Sequence, residues 1–341
     1  MSGKKHRLKS LRQRLDRVPA IGRFKRTRAG RALAGLRSQA LGRTGGGKTG
    51  GWTPSETETV PCPLCGDDGF EPVCRNEAEL LVARCNSCNL VYARERPTAS
   101  ALKERYVSYI WQDRMAWDWD RWMAERNARL DSWGFREYEQ SLGPNRSVLE
   151  IGCAEGYQLK VFRQRGWRVQ GIEPAETPAK FVRERLGLPV SVGTLETTQL
   201  SPESFDLVLM FHVLEHLPEP RTALSLVHNS LRPKGRLLIV TPCCDSVVQK
   251  LVGPVWFKDA DHIAFYSKET VRRLLTGGGL TPVKSESWIG TVWGGESGEE
   301  AAVIWNDLRP SKRLCERIVE SNEGDVMMVF AEKSHAMQES Q

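Results

Sequence analysis

The segment from Ser147 to Glu173 constrains the fold of this chain more than any other. Ser147-Val148-Leu149-Glu150-Ile151 is an apolar run of strand length. It opens directly into Gly152-Cys153-Ala154-Glu155-Gly156, where small residues let the backbone turn tightly and approach a ligand without obstruction by Cβ. A helix carrying Leu159, Val161 and Phe162 follows, and then a second strand, Trp167-Arg168-Val169-Gln170-Gly171-Ile172, that ends at Glu173. Strand, turn, amphipathic helix and strand in this order make a βαβ unit with parallel strands. The alternation continues downstream, so the expected fold class is α/β, a doubly wound Rossmann-like sheet with helices on both faces, over residues 141–335. Glu173 stands 23 residues after Glu150. A carboxylate at the tip of the second strand can accept both ribose hydroxyl protons of a nucleotide.

A second constraint lies upstream. Cys62-Pro63-Leu64-Cys65 and Cys85-Asn86-Ser87-Cys88 are two CxxC pairs separated by 19 residues, a spacing expected of a four-cysteine zinc site. Each CxxC turn aims two thiolates at one ion, and two turns complete a tetrahedron with no open position. The reading is a structural Zn2+ in a small ribbon over residues 56–97, with Cys62, Cys65, Cys85 and Cys88 as ligands and Cys74 as a spare. Leu90 to Pro97 reads as one strand leaving the ribbon. Residues 98–140 then concentrate aromatics, Tyr106, Tyr109, Trp111, Trp117, Trp119, Trp122 and Trp133, which suit the packing of a helical connector or a roof over the site.

Glu150-Ile151-Gly152-Cys153-Ala154-Glu155-Gly156 resembles the E/D-x-G-x-G-x-G motif of class I S-adenosylmethionine-dependent methyltransferases, with Ala154 in place of the middle glycine. Three further pieces follow in that family's order: Glu173, the strand Ser204 to Met210, and the turn Leu231-Arg232-Pro233-Lys234-Gly235 leading into a strand from Arg236 to Val240. A nicotinamide-binding fingerprint fits less well, because Gly152 and Gly156 lack its G-x-G-x-x-G spacing. The resemblance implies S-adenosylmethionine as cofactor. It sets Glu150 and Gly152 near the methionyl end, Ala154 and Gly156 in the turn, Glu173 at the ribose and Thr194-Leu195 beside the adenine. Phe211 and His212 close the pocket, or are ordinary packing at the strand–helix junction.

Ribbon, connector and catalytic domain together, over roughly residues 60–290, look like a family of bacterial sugar and small-molecule methyltransferases. In that family an acid–His pair follows the fifth strand in a segment ending Tyr-Ser. Asp261-His262-Ile263-Ala264-Phe265-Tyr266-Ser267 occupies the matching place, with Asp where Glu is usual. The resemblance thus implies His262, assisted by Asp261, as general base or acceptor-orienting group; otherwise His262 is a loop residue before the next helix. The sugar C-methyltransferases of that family carry a long extra C-terminal domain that this sequence does not show, so O-methylation of a glycan or lipid-linked acceptor is expected at least as much as C-methylation of a nucleotide sugar. The expected function is methyl transfer to a small-molecule, glycan or lipid-linked acceptor at oxygen or carbon. Two other readings stand beside it: an rRNA guanine methyltransferase with a zinc module, favoured by the basic tail, and a non-catalytic scaffold, which the intact Glu150 and Glu173 oppose.

Charge is distributed unevenly. Residues 1–50 hold 15 Lys and Arg against the single acid Asp16, whereas the whole chain is only +7, so the rest of the chain is mildly acidic and is no polyanion-binding groove. Leu8, Leu11, Leu15 and Val18 recur at helical spacing in this tail (1–55), which ends in a Gly-rich linker from Gly42 to Gly51. A solvated tail, an arm docking on an anionic membrane surface, an RNA-binding arm and a cleaved organelle-targeting peptide all fit. Membrane docking is the preferred functional reading, with nucleic acid less favoured. No apolar run reaches the length of a membrane span, and no compact secretory signal opens the chain, so the expected location is cytoplasmic. Gly42 to Thr49 matches a phosphate-loop pattern, but no apolar strand precedes it. His212-Val213-Leu214-Glu215-His216 matches an inverted zinc-protease signature that lacks an evident third ligand, and the strand before it explains the segment better.

Overall fold

A computed structural model of the chain describes residues 52–108, 124, 127, 128, 130–288 and 320–334, all but Glu320 within one compact unit. Residues 1–51 of the basic tail and the aromatics Tyr109, Trp111, Trp117, Trp119 and Trp122 lie outside the described residues.

In chain order the ribbon region supplies β1 (Thr57–Thr59), β2 (Phe70–Arg75), β3 (Leu81–Cys85), β4 (Val91–Ala93) and β5 (Glu95–Pro97). Helices α1 (Ala99–Ser108) and α2 (Phe135–Ser141) follow. The larger part is β6 (Ser147–Ile151), α3 (Tyr157–Gln164), β7 (Arg168–Glu173), α4 (Glu176–Arg185), β8 (Val190–Val192), β9 (Phe205–Phe211), α5 (Pro220–Ser230), β10 (Leu231–Pro242), α6 (Val247–Val252), β11 (Ala264–Phe265), α7 (Lys268–Gly277), β12 (Leu280–Trp288) and β13 (Val326–Lys333).

The main sheet has the order β12-β13-β10-β9-β6-β7-β8. Strands β6 to β10 pair in parallel within it, while β13 runs antiparallel to both β10 and β12. The expected α/β sheet is therefore present, closed at one edge by an antiparallel hairpin. Its central strands, β6 and β9, are buried and mostly apolar because both faces are covered, whereas the edge strand β12 alternates exposed residues with partly or fully buried ones. On β9, Leu207 and Leu209 pack under α3 and α4 with Phe162 and Val182, while Val208 and Met210 pack on the other face with Leu224 and Leu274 of α5 and α7. Strand order reverses between β6 and β9, and the crevice beyond their carboxyl ends is where doubly wound sheets take ligands.

Helix boundaries follow local chemistry. Pro220 opens α5, where its missing N–H costs no hydrogen bond. Ser267 caps α7 by accepting from the Thr270 backbone N–H, and the Thr270 hydroxyl answers by accepting from the Ser267 N–H. Beside the sheet, α2 is locked by Glu139, whose carboxylate accepts from Trp167 Nε1 at 2.7 Å and from Arg165 Nε at 2.8 Å.

The ribbon departs from expectation in one respect. Leu90 to Pro97 is two strands that join different sheets. β5 pairs with β1, whereas β4 lies between β3 and β11, so the ribbon sheet runs β11-β4-β3-β2. Its fourth strand comes from the far side of β10. Cys62, Cys85, Cys88 and Tyr92 accordingly share one apolar cluster with Leu149 and Met210 of the main sheet. Among the described residues no helix is long and apolar enough to cross a membrane.

Candidate active site

At the carboxyl end of β6 the backbone takes three left-handed residues in alternation, Gly152 (φ 67°), Ala154 (φ 50°) and Gly156 (φ 75°). A Cβ on Gly152 would stand 2.7 Å from Cγ2 of Val213, so the turn after β9 packs directly on it. Ala154 holds a conformation that costs an L residue energy, and its N–H is donated to Oε2 of Glu173 at 2.8 Å. The other oxygen of Glu173 accepts from the Ala175 N–H at 3.0 Å. Glu173 is buried, and burial raises its pKa although both backbone N–H groups pull it down. Each oxygen keeps a second lone pair for a ribose hydroxyl. Glu150 is buried on β6 at the same end. Beyond β8, Leu195 is buried, and the Thr194 carbonyl accepts from the hydroxyls of Thr197 and Thr198.

A second group of polar residues lies beyond β9. Phe211 closes that strand, and His212 is left-handed (φ 54°), its N–H bonded to the Val240 carbonyl at 2.8 Å. The tight 3-10 turn Leu214–His216 follows. Its Glu215 is buried, receiving Thr241 Oγ1 at 2.8 Å and facing His212 Nδ1 at 3.2 Å. Burial would raise the Glu215 pKa, but the His212 hydrogen bond and the charges of His212, His216 and His262 prevail and hold it down at about 2. His216 donates Nδ1–H to the Asp261 carbonyl at 2.9 Å, and burial followed by the nearby His262 lowers its pKa. The rings of His216 and His262 are 4.9 Å apart.

Asp261 is not the acid that faces His262. Its carboxylate pairs with Arg105 of α1 at 2.6 Å, and the acid nearest His262 Nδ1 is Asp259, at 3.6 Å. The chain bends at Ala260 and Asp261, and Asp261 and His262 face different neighbours. Sequence reasoning gave Glu215 and Asp259 no role in the site and named Tyr106 only among the aromatics of a connector or roof; its ring packs edge-on against His216 at 5.7 Å. The His212 to His216 signature was the available signal. It failed as a protease motif because His212 turns to Glu215, while the imidazole that joins His216 is His262.

In the ribbon, Cys62 Sγ and Cys88 Sγ are 3.4 Å apart, as are Cys65 Sγ and Cys85 Sγ, and all four sulfurs lie within 4.8 Å of one another. A tetrahedral zinc with bonds of about 2.3 Å spaces its sulfurs about 3.8 Å apart, so the four thiols fit that ion.

Residues 118–285 match a family model described as a methyltransferase domain. The chain therefore carries a methyltransferase domain over these residues. It is similar to the ubiquinone biosynthesis O-methyltransferases of Pseudomonas aeruginosa, at 30% identity, and Stutzerimonas stutzeri, at 29%. Each match covers 102 residues, 28% of this chain and 44% of the relative. The chain thus matches less than half the length of these curated relatives. Among solved structures it is similar to a SAM-dependent methyltransferase from Archaeoglobus fulgidus, 23% identical over 62% of this chain and 94% of that one, with a TM-score of 0.43.

Proposed function

We propose that this methyltransferase transfers a methyl group from S-adenosylmethionine to a hydroxyl or carbon of a small-molecule, glycan or lipid-linked acceptor. The observation that carries the reading is the corner formed by Glu173 and the left-handed turn. A buried carboxylate anchored by two backbone N–H groups stands at the carboxyl end of β7, tied to the turn that follows β6, and Val213 of the turn after β9 packs on that same turn. The named activity of the curated relatives, O-methylation, favours an oxygen acceptor.

The cofactor supplies an electrophilic methyl group on a sulfonium. Glu173 would bind the ribose, the Gly152 to Gly156 turn would pass beneath the methionyl part, and Leu195 would flank the adenine. Phe211 and His212 would close the pocket. What remains for the chain is alignment of the acceptor and removal of its proton. His262, partly exposed beside the half-buried His216, is placed to orient the acceptor or take that proton. Zinc on Cys62, Cys65, Cys85 and Cys88 would brace the ribbon against the loop that carries His262, because Ala93 donates its N–H to the Ile263 carbonyl at 3.0 Å. The basic tail would bring the enzyme to anionic membranes.

Incubation of the full chain with methyl-labelled cofactor and separate pools of glycolipid, nucleotide sugar, small phenols and rRNA tests this reading. Label in one of the first three pools is expected, with His262→Ala lowering turnover by about 10²-fold at unchanged cofactor affinity. Label confined to rRNA, or no cofactor binding at all, overturns it.

A further inference from the structure

Glu215, His216 and His262 bring one carboxylate oxygen and two imidazole nitrogens within 4.8 Å of one another. They come from two segments, the turn after β9 and the loop before β11, which are stitched together by the Ile263 N–H donating to the Glu215 carbonyl at 3.0 Å. Each side chain is also held from behind. With Nδ1–H of His216 given to the Asp261 carbonyl, the lone pair of that ring sits on Nε2. His262 turns Nδ1 toward the Asp259 carboxylate, which likewise leaves Nε2 to the cluster. Thr241 and His212 fix the Glu215 carboxylate.

Two imidazoles and one carboxylate are the donor set of a three-ligand zinc site with an open fourth position. A carbonyl or carboxylate behind each imidazole is the contact that orients a ligating histidine and raises its basicity. A divalent ion about 2.1 Å from each ligand needs separations near 3.4 Å, so closure asks for side-chain shifts on the order of 1 Å. A second observation points the same way. The hydroxyls of Tyr106 and Tyr266 are buried without a hydrogen-bond partner among the described residues, and the Glu215 charge acts on both. Buried hydroxyls of this kind call for a polar ligand.

We propose that Glu215, His216 and His262 form a binding site for a divalent ion of the zinc class, distinct from the four-cysteine site, with its open position toward the acceptor. Its role in catalysis rests on the methyl-transfer reading. The acceptor oxygen, held at the open position, loses its proton to solvent more readily and forms a C–O bond as the C–S bond of the sulfonium breaks. The methyl ether and S-adenosylhomocysteine are the products. His262 then serves as a ligand that orients the acceptor, and the ion replaces a protein base.

The test is a metal count on the full chain, stripped and reloaded with Zn2+ or Co2+, with cofactor calorimetry on the same samples. Wild type is expected to hold about two equivalents, whereas His262→Ala and His216→Ala hold about one. In the cobalt samples the thiolate charge-transfer bands of the cysteine site should be the same in all three proteins. Saturation of wild type at about one equivalent, carried by the thiolate bands, overturns the site, and so does a full count in both histidine variants. His262 is partly exposed, so its variant remains informative if His216→Ala does not fold. Cofactor binding reports separately on the methyl-transfer reading: its loss with two ions retained sinks that reading and leaves the metal site standing.

Discussion

The backbone N–H of Ala154 and the carboxylate of Glu173, 2.8 Å apart, tie the bend after β6 to the tip of β7. Removing the carboxylate therefore takes away the proposed ribose acceptor and frees a strained turn together. Glu173→Ala is expected to weaken S-adenosylmethionine binding by about 1.5–3 kcal/mol, the range for hydrogen bonds to a charged group. Titration calorimetry measures it, and unchanged affinity in a folded variant would mean that the ribose lies elsewhere.

The same carboxylate predicts a pH dependence. Burial raises Glu173 above its ordinary 4.5, so the cofactor-free domain favours the protonated form and loses stability as pH climbs from that value through the raised one. Ribose hydroxyls favour the anion and draw the pKa back down. Cofactor affinity should thus be low below the raised value and level off above it, with a proton released in between. Calorimetry in buffers of different ionisation enthalpy detects the release. Glu173→Gln should abolish it, and an identical profile in that variant would assign the effect to another group.

Gly171 sits in the middle of β7 with ordinary backbone angles, yet a Cβ there would stand 2.6 Å from Cys153 Sγ, 2.8 Å from Leu159 Cδ1 and 3.0 Å from Val190 Cγ2. Gly171→Ala should cost about 1–3 kcal/mol through overpacking. A thermal melt that does not move would show that Cys153 and Leu159 can step aside.

For the ribbon, the expectation is one zinc equivalent on the four cysteines, and Cys62→Ser should release it and loosen β4. Because β4 hydrogen-bonds to β11 and the Ala93 N–H reaches Ile263, turnover should fall more than cofactor affinity. Elemental analysis, calorimetry and initial rates on one preparation decide it. Equal losses in rate and affinity would argue against a buttressing role for the ribbon.

Local signals were readable where burial and chemistry coincide in a short stretch. Ser147 to Ile151 matches β6 residue for residue, because a strand covered on both faces is largely apolar and small residues must follow it. The cysteine pairs were equally plain, since a tetrahedral ion fixes their spacing. The strand from Leu90 to Pro97 hid its break at Arg94, because only distant partners, β1 for one half and β11 for the other, divide it. The pairing of Asp261 with Arg105 and of His216 with His262 was hidden for the same reason. These contacts join residues far apart in the chain, and no local periodicity records them.

The two residues of β11 also set an order of assembly. At translation rates of about 5–20 residues per second, roughly 10–30 s separate the emergence of β4 from that of its neighbour Ala264-Phe265. Until then the nascent ribbon offers the bare edge of Val91, Tyr92 and Ala93, all of them buried in the finished protein, to any passing strand. A cassette cut after Pro97 would keep that edge exposed permanently and should aggregate. The cysteine knuckles therefore cannot be traded between proteins as a free-standing unit; they must travel with the loop that completes them.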